Sequence, residues 1–120
     1  MLFDFDTFAD VLESVFPQEN TVYTMGECLM VFREYFRQYE EKTGRAHPNI
    51  SARQIVKICE IMPWYSADDA GSYQPSITAE TYREVIRKHF RTRYRNCDYN
   101  INHFFSGHIR ERRYQELRRS

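Results

Sequence analysis

The chain has 120 residues, the length of one domain, and a domain of this size buries enough surface to fold without disulfide bonds or a metal. Hydrophobic residues make up 42% and charged residues 28%, which is typical of a globular chain and excludes a disordered one. The formal net charge is zero, the N-terminus lacks the basic and apolar regions of a secretory signal, and no apolar run approaches the roughly 18 residues of a membrane span, so we expect a cytoplasmic protein with no membrane role.

Two amphipathic helices are predicted in the first third of the chain. The first covers residues 4–16, where apolar residues recur at intervals of three and four, and Pro17 ends it. The second begins at Thr24 or Thr21, and Gly44 suits the left-handed position after its last turn. We expect this second helix to form the centre of the core, because its apolar stripe is the longest in the chain. The stripe consists of Met25, Leu29, Phe32, Phe36, Tyr39 and Thr43, and it is broadened by Cys28 and Tyr35.

A third helix and a loop are predicted in the middle of the chain. Ser51 and Gln54 have the spacing of a capping box, and an apolar stripe follows as far as Pro63. The residues after it are rich in turn formers, and we expect Trp64 and Tyr65 to hold this loop against the core.

Three helices are predicted in the last third of the chain. Thr78 caps a fourth helix that should run to about Arg95. Asp98 or Asn100 caps a short fifth helix, and a sixth, rather polar helix covers residues 109–118. No strand pattern is present, so the sequence predicts an all-α fold, with residues 1–120 forming a single compact domain of five or six helices. The expected core residues are Phe8, Leu12, Leu29, Phe32, Phe36, Ile55, Ile58, Met62, Val85, Ile86 and Phe90.

Charge is distributed unevenly along the chain. Residues 1–44 carry nine acidic and three basic residues, whereas residues 71–120 carry five acidic and eleven basic residues. This asymmetry indicates either a charged partner or two halves that attract each other.

Arginines recur every four residues along the predicted fourth helix and form one ridge. The apolar face fixes this helix against the body, so we expect the ridge to face outward. Regularly spaced guanidinium groups suit phosphate oxygens, and the tyrosines among them can stack on unpaired bases. The sequence therefore predicts a non-enzymatic, nucleic-acid-binding accessory protein. Its expected binding residues are Arg83, Arg87, Lys88, Arg91, Arg95, Arg110, Arg112 and Arg113.

Two other interpretations of the same charges stay open. The arginines can form an ordinary solvated face, since Glu80 and Glu84 lie one turn before basic residues. The chain can also be a protein-interaction module with no nucleic-acid role, which associates with itself through its acidic and basic halves or binds a charged partner.

A helix-turn-helix motif is a weaker alternative for the last two helices. Their lengths fit, and the second helix would present Arg110, Arg112 and Arg113 to bases. Such motifs usually have a small residue four before the turn glycine and a buried aliphatic residue six after it. This chain has His103 and Arg113 at those positions, and both departures count against the motif.

No pattern in the sequence indicates a catalytic site, a cofactor, a metal or a small-molecule substrate. The three cysteines form no Cys-x-x-Cys pair and are expected to be reduced thiols. Four soft ligands occur within twenty residues, but their spacings match no zinc pattern. These are His89, Cys97, His103 and His108. We expect His89 to be a core histidine on the apolar face of the fourth helix.

Residues 39–48 and 97–107 resemble short uncharacterised proteins of gut bacteria that lie in mobile-element or phage-like gene neighbourhoods. The likeness covers about residues 30–115 and brings no catalytic residue with it. It implies either a role near nucleic acid or a small accessory protein that binds another protein.

Overall fold

Six α-helices form the regular structure of the part of the chain that the computed structural model describes, which is residues 4–17, 23–63, 77–93, 97–106 and 109–119. Those residues contain no strand. The radius of gyration is 14.1 Å, close to the about 13.6 Å of a compact domain of this length. The all-α prediction is therefore confirmed. The helices are α1 (Phe5–Val15), α2 (Met25–Thr43), α3 (Ala52–Ile61), α4 (Ala79–Arg91), α5 (Ile101–Phe104) and α6 (Ile109–Arg119).

Capping side chains set the starts of α1 to α5. At each start a short polar side chain accepts a hydrogen bond from a backbone N–H of the first turn, which has no partner within the helix. Thr24 with Glu27 and Ser51 with Gln54 form complete capping boxes. At the end of α2, Gly44 takes the predicted left-handed conformation with φ 73°. The remaining caps are Asp4 for α1, Thr78 for α4 and Asn100 for α5.

The fourth helix ends one turn earlier than predicted. Its last helical residue is Arg91, and Thr92 has the extended backbone angles φ −102° and ψ 136°. The Thr92 hydroxyl donates to the Lys88 carbonyl at 3.0 Å, a side-chain bond that competes with continuation of the helix. Arg95, predicted for the same helix, lies outside the described residues.

The second helix lies between α1 and α4 and is the centre of the core. Phe8 of α1 packs against Phe32 with ring centroids 4.9 Å apart, and α4 packs on the neighbouring face of α2. Cys28 and Tyr35, predicted to broaden the apolar stripe, are buried, and because two helices flank α2 its buried face also includes Val31. Around this centre α3 packs on α1, α6 packs on α4, and α5 packs on α6.

The predicted core is confirmed with one exception. All of its members are buried except Leu29, which is half-buried, and Met25 of the same stripe is exposed. Trp64 and Tyr65, predicted to hold the loop, lie outside the described residues. The core also contains tyrosines whose hydroxyls donate to distant backbone carbonyls and so tie connecting segments to helices. These bonds join Tyr23 to Ile77, Tyr82 to Met62 and Tyr35 to Tyr99.

Candidate functional site

A buried carboxylate on α2 lies at the interface with α4. Glu34 is 3% exposed, and its oxygens accept hydrogen bonds from side chains of both helices. From α2, Arg37 Nη2 lies 2.7 Å and Gln38 Nε2 lies 2.9 Å from Glu34 Oε2. From α4, Arg83 Nε and Arg87 Nη2 each lie 3.3 Å from Glu34 Oε1. We call these five residues the α2–α4 ion cluster.

Hydrogen bonds keep the central carboxylate of this cluster ionised despite its burial. Burial raises the pKa of Glu34, but the bonds from Gln38, Arg83 and Arg37 outweigh it and hold the pKa below its usual value. The same contact raises the pKa of Arg83. A buried charge is tolerated only while its partners stay in place, so the cluster fixes α4 relative to α2.

The arginine ridge of α4 turns away from α2 along the helix. Residues four apart are rotated by about 40° relative to each other, because one turn contains 3.6 residues. Arg83 and Arg87 therefore face α2, with side chains 33% and 37% exposed, whereas Arg91 has rotated into solvent. This corrects the expectation of a continuous outward strip, since its first two arginines are held by a carboxylate of the N-terminal half.

The charges in and around the ion cluster balance. Arg83 also pairs with Glu80 at 3.2 Å, and Arg37 also pairs with Glu41 at 3.6 Å. With Arg87, three guanidinium groups thus face three carboxylates. Little positive potential is left at this end of the ridge to attract a polyanion.

Two of the three predicted binding arginines on α6 point into the fold. Arg110 Nη1 donates to the Tyr82 hydroxyl at 2.9 Å and to backbone carbonyls at the end of α3. Arg113 is 5% exposed, and its Nε donates to His89 Nδ1 at 3.1 Å. Arg112 is exposed. A recognition helix presents its basic side chains to DNA, so this arrangement, together with a single-turn α5, argues against the helix-turn-helix alternative.

The prediction that His89 is a core histidine is confirmed. It is fully buried on α4, and burial together with the neighbouring Arg113 guanidinium lowers its pKa to about 3. Nδ1 accepts the hydrogen bond from Arg113, so the neutral ring carries its proton on Nε2. Within the described ranges, no group of three or more His, Cys, Asp or Glu side chains is placed to hold a metal ion, and His108 lies outside those ranges.

The part of the predicted nucleic-acid surface that still faces solvent is small. Arg91 and Arg112 are exposed, Lys88 is half-buried, and Arg95 lies outside the described residues. Arg93, just beyond the end of α4, is also exposed. These side chains, rather than the whole ridge, are the cations that a polyanion would meet.

The outer face of α1 carries carboxylates that are exposed to solvent. Asp6, Asp10 and Glu13 recur at intervals of four and three on the side opposite the buried Phe8 and Leu12, and all three are exposed. No ion pair joins them to another residue that the structure describes, and α1 contains no basic residue. We call this surface the acidic face of α1.

A cleft of about 280 Å³ opens between the start of α1 and the middle of α2. We call it the α1–α2 cleft. Arg33 lies over the Phe5 ring at 5.0 Å, and Arg37 belongs to the ion cluster, so both guanidinium groups are engaged within the fold. The cleft therefore offers aromatic rings rather than free cations to a partner. Its lining residues are Phe5, Arg33, Phe36, Arg37, Glu40 and His47.

Sequence reasoning missed the two buried polar residues that organise these surfaces. The signal for Glu34 is that Arg37 and Gln38 follow it by three and four residues on the same helix, where they can reach its carboxylate. His47 has no comparable signal, because the backbone N–H that its Nε2 accepts from belongs to Ile101, 54 residues later in the chain.

The chain matches no protein-family model, no curated protein and no solved structure. No helix in the described residues is long and apolar enough to cross a membrane. The resemblance to proteins of gut-bacterial mobile elements therefore stays a prediction.

Proposed function

We propose that this chain is a non-enzymatic protein-interaction module that uses the acidic face of α1 and the α1–α2 cleft to bind a basic segment of another protein. One observation carries the proposal. The basic half of the chain uses Arg83, Arg87, Arg110 and Arg113 inside the fold, while the carboxylates on the outer face of α1 have no basic partner in the described part of the chain. These exposed carboxylates are therefore available to a basic segment of a partner.

The expected partner segment is amphipathic. Its lysines or arginines lie along the carboxylates of α1, where exposed charge pairs mainly speed association and set specificity. An aromatic or aliphatic side chain packs on the rings of Phe5 and Phe36, whose centroids lie 6.3 Å apart at the cleft. A buried apolar anchor surrounded by polar contacts is the usual energetic layout of a protein interface.

A designed peptide tests the proposal without knowledge of the natural partner. The probe is a fluorescein-labelled helical peptide of lysine and leucine, and the same peptide with glutamate for lysine is the reference. The Asp10→Lys/Glu13→Lys variant should bind the lysine peptide at least tenfold more weakly, about 1.4 kcal/mol, because two attractions become repulsions. The matched control is Glu60→Lys/Glu84→Lys, which makes the same change of charge at exposed positions on α3 and α4.

Fluorescence anisotropy at several salt concentrations gives the affinities. The control variant should bind like the wild type, and affinity should fall as salt screens the exposed charges. Equal weakening in both double variants would mean that only net charge matters. Either that result or equal binding of the lysine and glutamate peptides would contradict the proposal.

A nucleic-acid role is the second candidate, and the exposed Arg91, Arg93 and Arg112 support it. Among the described residues, they and Lys88 offer four phosphate contacts, which predict a fall of log affinity for duplex DNA with log salt with a slope of about −3.6. Arg91→Glu/Arg112→Glu should abolish the binding, whereas Arg83→Gln should leave the slope unchanged. Absence of duplex binding at about 50 mM salt would end this candidate.

A further inference from the structure

A buried histidine joins the connector between α2 and α3 to the start of α5. His47 is 1% exposed, and both of its ring nitrogens make hydrogen bonds. Nδ1 lies 2.7 Å from the Pro48 carbonyl oxygen, and the Ile101 backbone N–H donates to Nε2 at 3.0 Å. One ring thus bonds to the adjacent Pro48 and to Ile101, which lies 54 residues later in the chain.

The two bonds fix the protonation state of the ring. A backbone N–H is always a donor, so Nε2 must be an unprotonated acceptor. Nδ1 then carries the single proton and donates it to the Pro48 carbonyl. Only the neutral imidazole with its proton on Nδ1 satisfies both contacts, since a second proton on Nε2 would face the Ile101 N–H.

The segment that His47 holds is under local backbone strain. Tyr99 has φ 61°, a left-handed conformation that is unfavourable for a bulky side chain. From α2, the Tyr35 hydroxyl donates to the carbonyls of Tyr99 at 2.7 Å and Asn100 at 3.3 Å. His47 supplies the next contact along the chain at Ile101, the first residue of α5. Loss of that contact removes one of the bonds that keep the strained turn in place.

We propose that His47 is an acid-sensitive latch, which holds the start of α5 while its ring is neutral and releases it when a solvent proton binds Nε2. The proton converts an acceptor into a donor opposite the Ile101 N–H, so the bond breaks, and the charged ring leaves its apolar surroundings. No covalent bond changes. Because His47 also lines the α1–α2 cleft, release alters the surface that we propose for partner binding.

The groups around the ring set the direction of its titration. Burial lowers the pKa of His47, while the bond to the Pro48 carbonyl and the carboxylate of Asp98 raise it by less. A lowered pKa in the folded state means that the latch is fully closed above the ordinary histidine value of about 6.5 and weakens as the pH falls below it. Among the described residues, the titratable and charged side chains that face His47 or line its cleft include Tyr35 and Tyr39 of α2, Asp98 before α5, and Arg33, Arg37 and Glu40 at the cleft.

Amide hydrogen exchange measured by NMR between pH 7.5 and pH 5 tests the latch. The protection factor of an amide is the exchange rate of an unstructured chain at the same pH divided by the measured exchange rate. The protection factor of Ile101 should fall at least tenfold in the wild type. The reason is that His47 in the open state has a pKa of about 6.5, so its protonation raises the population of the open state up to about 30-fold over this range. The protection factor of Phe32, in the centre of α2, should stay constant over the same range.

His47→Gln is the matched variant, since its amide oxygen reaches the position of Nε2 and accepts a hydrogen bond without titrating. In this variant the Ile101 protection factor should not change with pH, and an equal fall would overturn the proposal. The ¹⁵N shifts of His47 in the wild type give an answer that does not depend on the folding of any variant. They should show a protonated Nδ1 and a bare Nε2 at pH 7.5, and the opposite tautomer would overturn the latch.

The effect on partner binding rests on the proposed function and is tested separately. Wild type should bind the lysine and leucine peptide more weakly at pH 5 than at pH 7.5, and His47→Gln should bind it equally at both. If exchange behaves as expected and no peptide binds, the latch stands and the proposed function fails. If the peptide binds at the acidic face of α1 and Ile101 protection does not change with pH, the latch fails and the proposed function stands.

Discussion

Glu34→Ala tests the α2–α4 ion cluster most directly. The substitution removes a nearly inaccessible carboxylate together with its four side-chain hydrogen bonds. A hydrogen bond to a charged group contributes about 1.5–3 kcal/mol, and breaking a buried ion pair costs about 3–5 kcal/mol. Arg83 and Arg87 are about one third exposed and regain water when the carboxylate is gone. We therefore expect the free energy of unfolding to fall by about 2–3 kcal/mol, less than the full cost of breaking a buried pair.

Urea unfolding at pH 7 measures this loss, and Glu41→Ala is the matched control. Glu41 pairs with Arg37 at 3.6 Å, but its side chain is 61% exposed, so its removal should cost less than about 0.5 kcal/mol. The loss from Glu34→Ala should persist in 1 M salt, because salt screens buried pairs much less than exposed ones. A loss no larger than that of Glu41→Ala would refute the reasoning that this carboxylate fixes α4 on α2.

The same carboxylate gives the stability a pH dependence with a defined sign. The folded-state pKa of Glu34 lies below its usual value, so its contribution is present above the unfolded-state pKa of about 4.3 and is lost as the pH falls through the folded-state pKa. Acid should therefore reduce the difference in unfolding free energy between the wild type and Glu34→Ala. A difference that stays constant into strong acid would show that the carboxylate is not ionised in the fold.

The remaining predictions concern a helix end and a buried ring. Gly44→Ala should lower the unfolding free energy by about 1 kcal/mol in urea melts, because φ is 73° there and the added Cβ is strained although nothing lies within 4 Å of it. Gly26→Ala, in the first turn of the same helix, is the control and should be neutral or slightly stabilising. Equal losses of unfolding free energy in Gly44→Ala and Gly26→Ala would contradict the conformational explanation. Arg113→Met should raise the pKa of His89 above about 3 in an NMR titration, because a cation beside the ring is removed. An unchanged pKa would contradict a contribution of Arg113 to the low value.

The helices could be predicted from the sequence because their signals are local. The capping box of Ser51 and Gln54 and the left-handed Gly44 lie within a few residues of the helix ends that they set. The buried face of α2 was predicted in large part, and Tyr35 lies on it as expected. Val31 was missed, because two flanking helices cover a wider face than the stripe, and Met25 at the start of the stripe is exposed.

The candidate site was less predictable because its decisive contacts are long-range. In the sequence, Arg83, Arg87 and Arg91 are three equivalent members of one register. In the fold they differ because each arginine is rotated by about 40° from the previous one around the helix. They differ also because Glu34, 49 residues before Arg83, lies on the side that Arg83 faces. Spacing alone indicates where a ridge lies on its own helix, but not which neighbouring helix covers it.

Some of the charges that make the chain asymmetric are paired with each other inside the fold, and others remain exposed on its surface. Glu34 belongs to the acidic half, and Arg83 and Arg87 belong to the basic half, so part of the asymmetry holds the two halves together. A charge on the buried face of a helix cannot stay ionised there without a counter-charge. A glutamate between the core residues Phe32 and Phe36 therefore predicts that basic side chains from elsewhere must reach it, and a regular row of arginines is the first place to look for them. The exposed charges that remain after such pairing among the described residues, the carboxylates of α1 and the cations Arg91, Arg93 and Arg112, are the ones that bear on the choice of a partner.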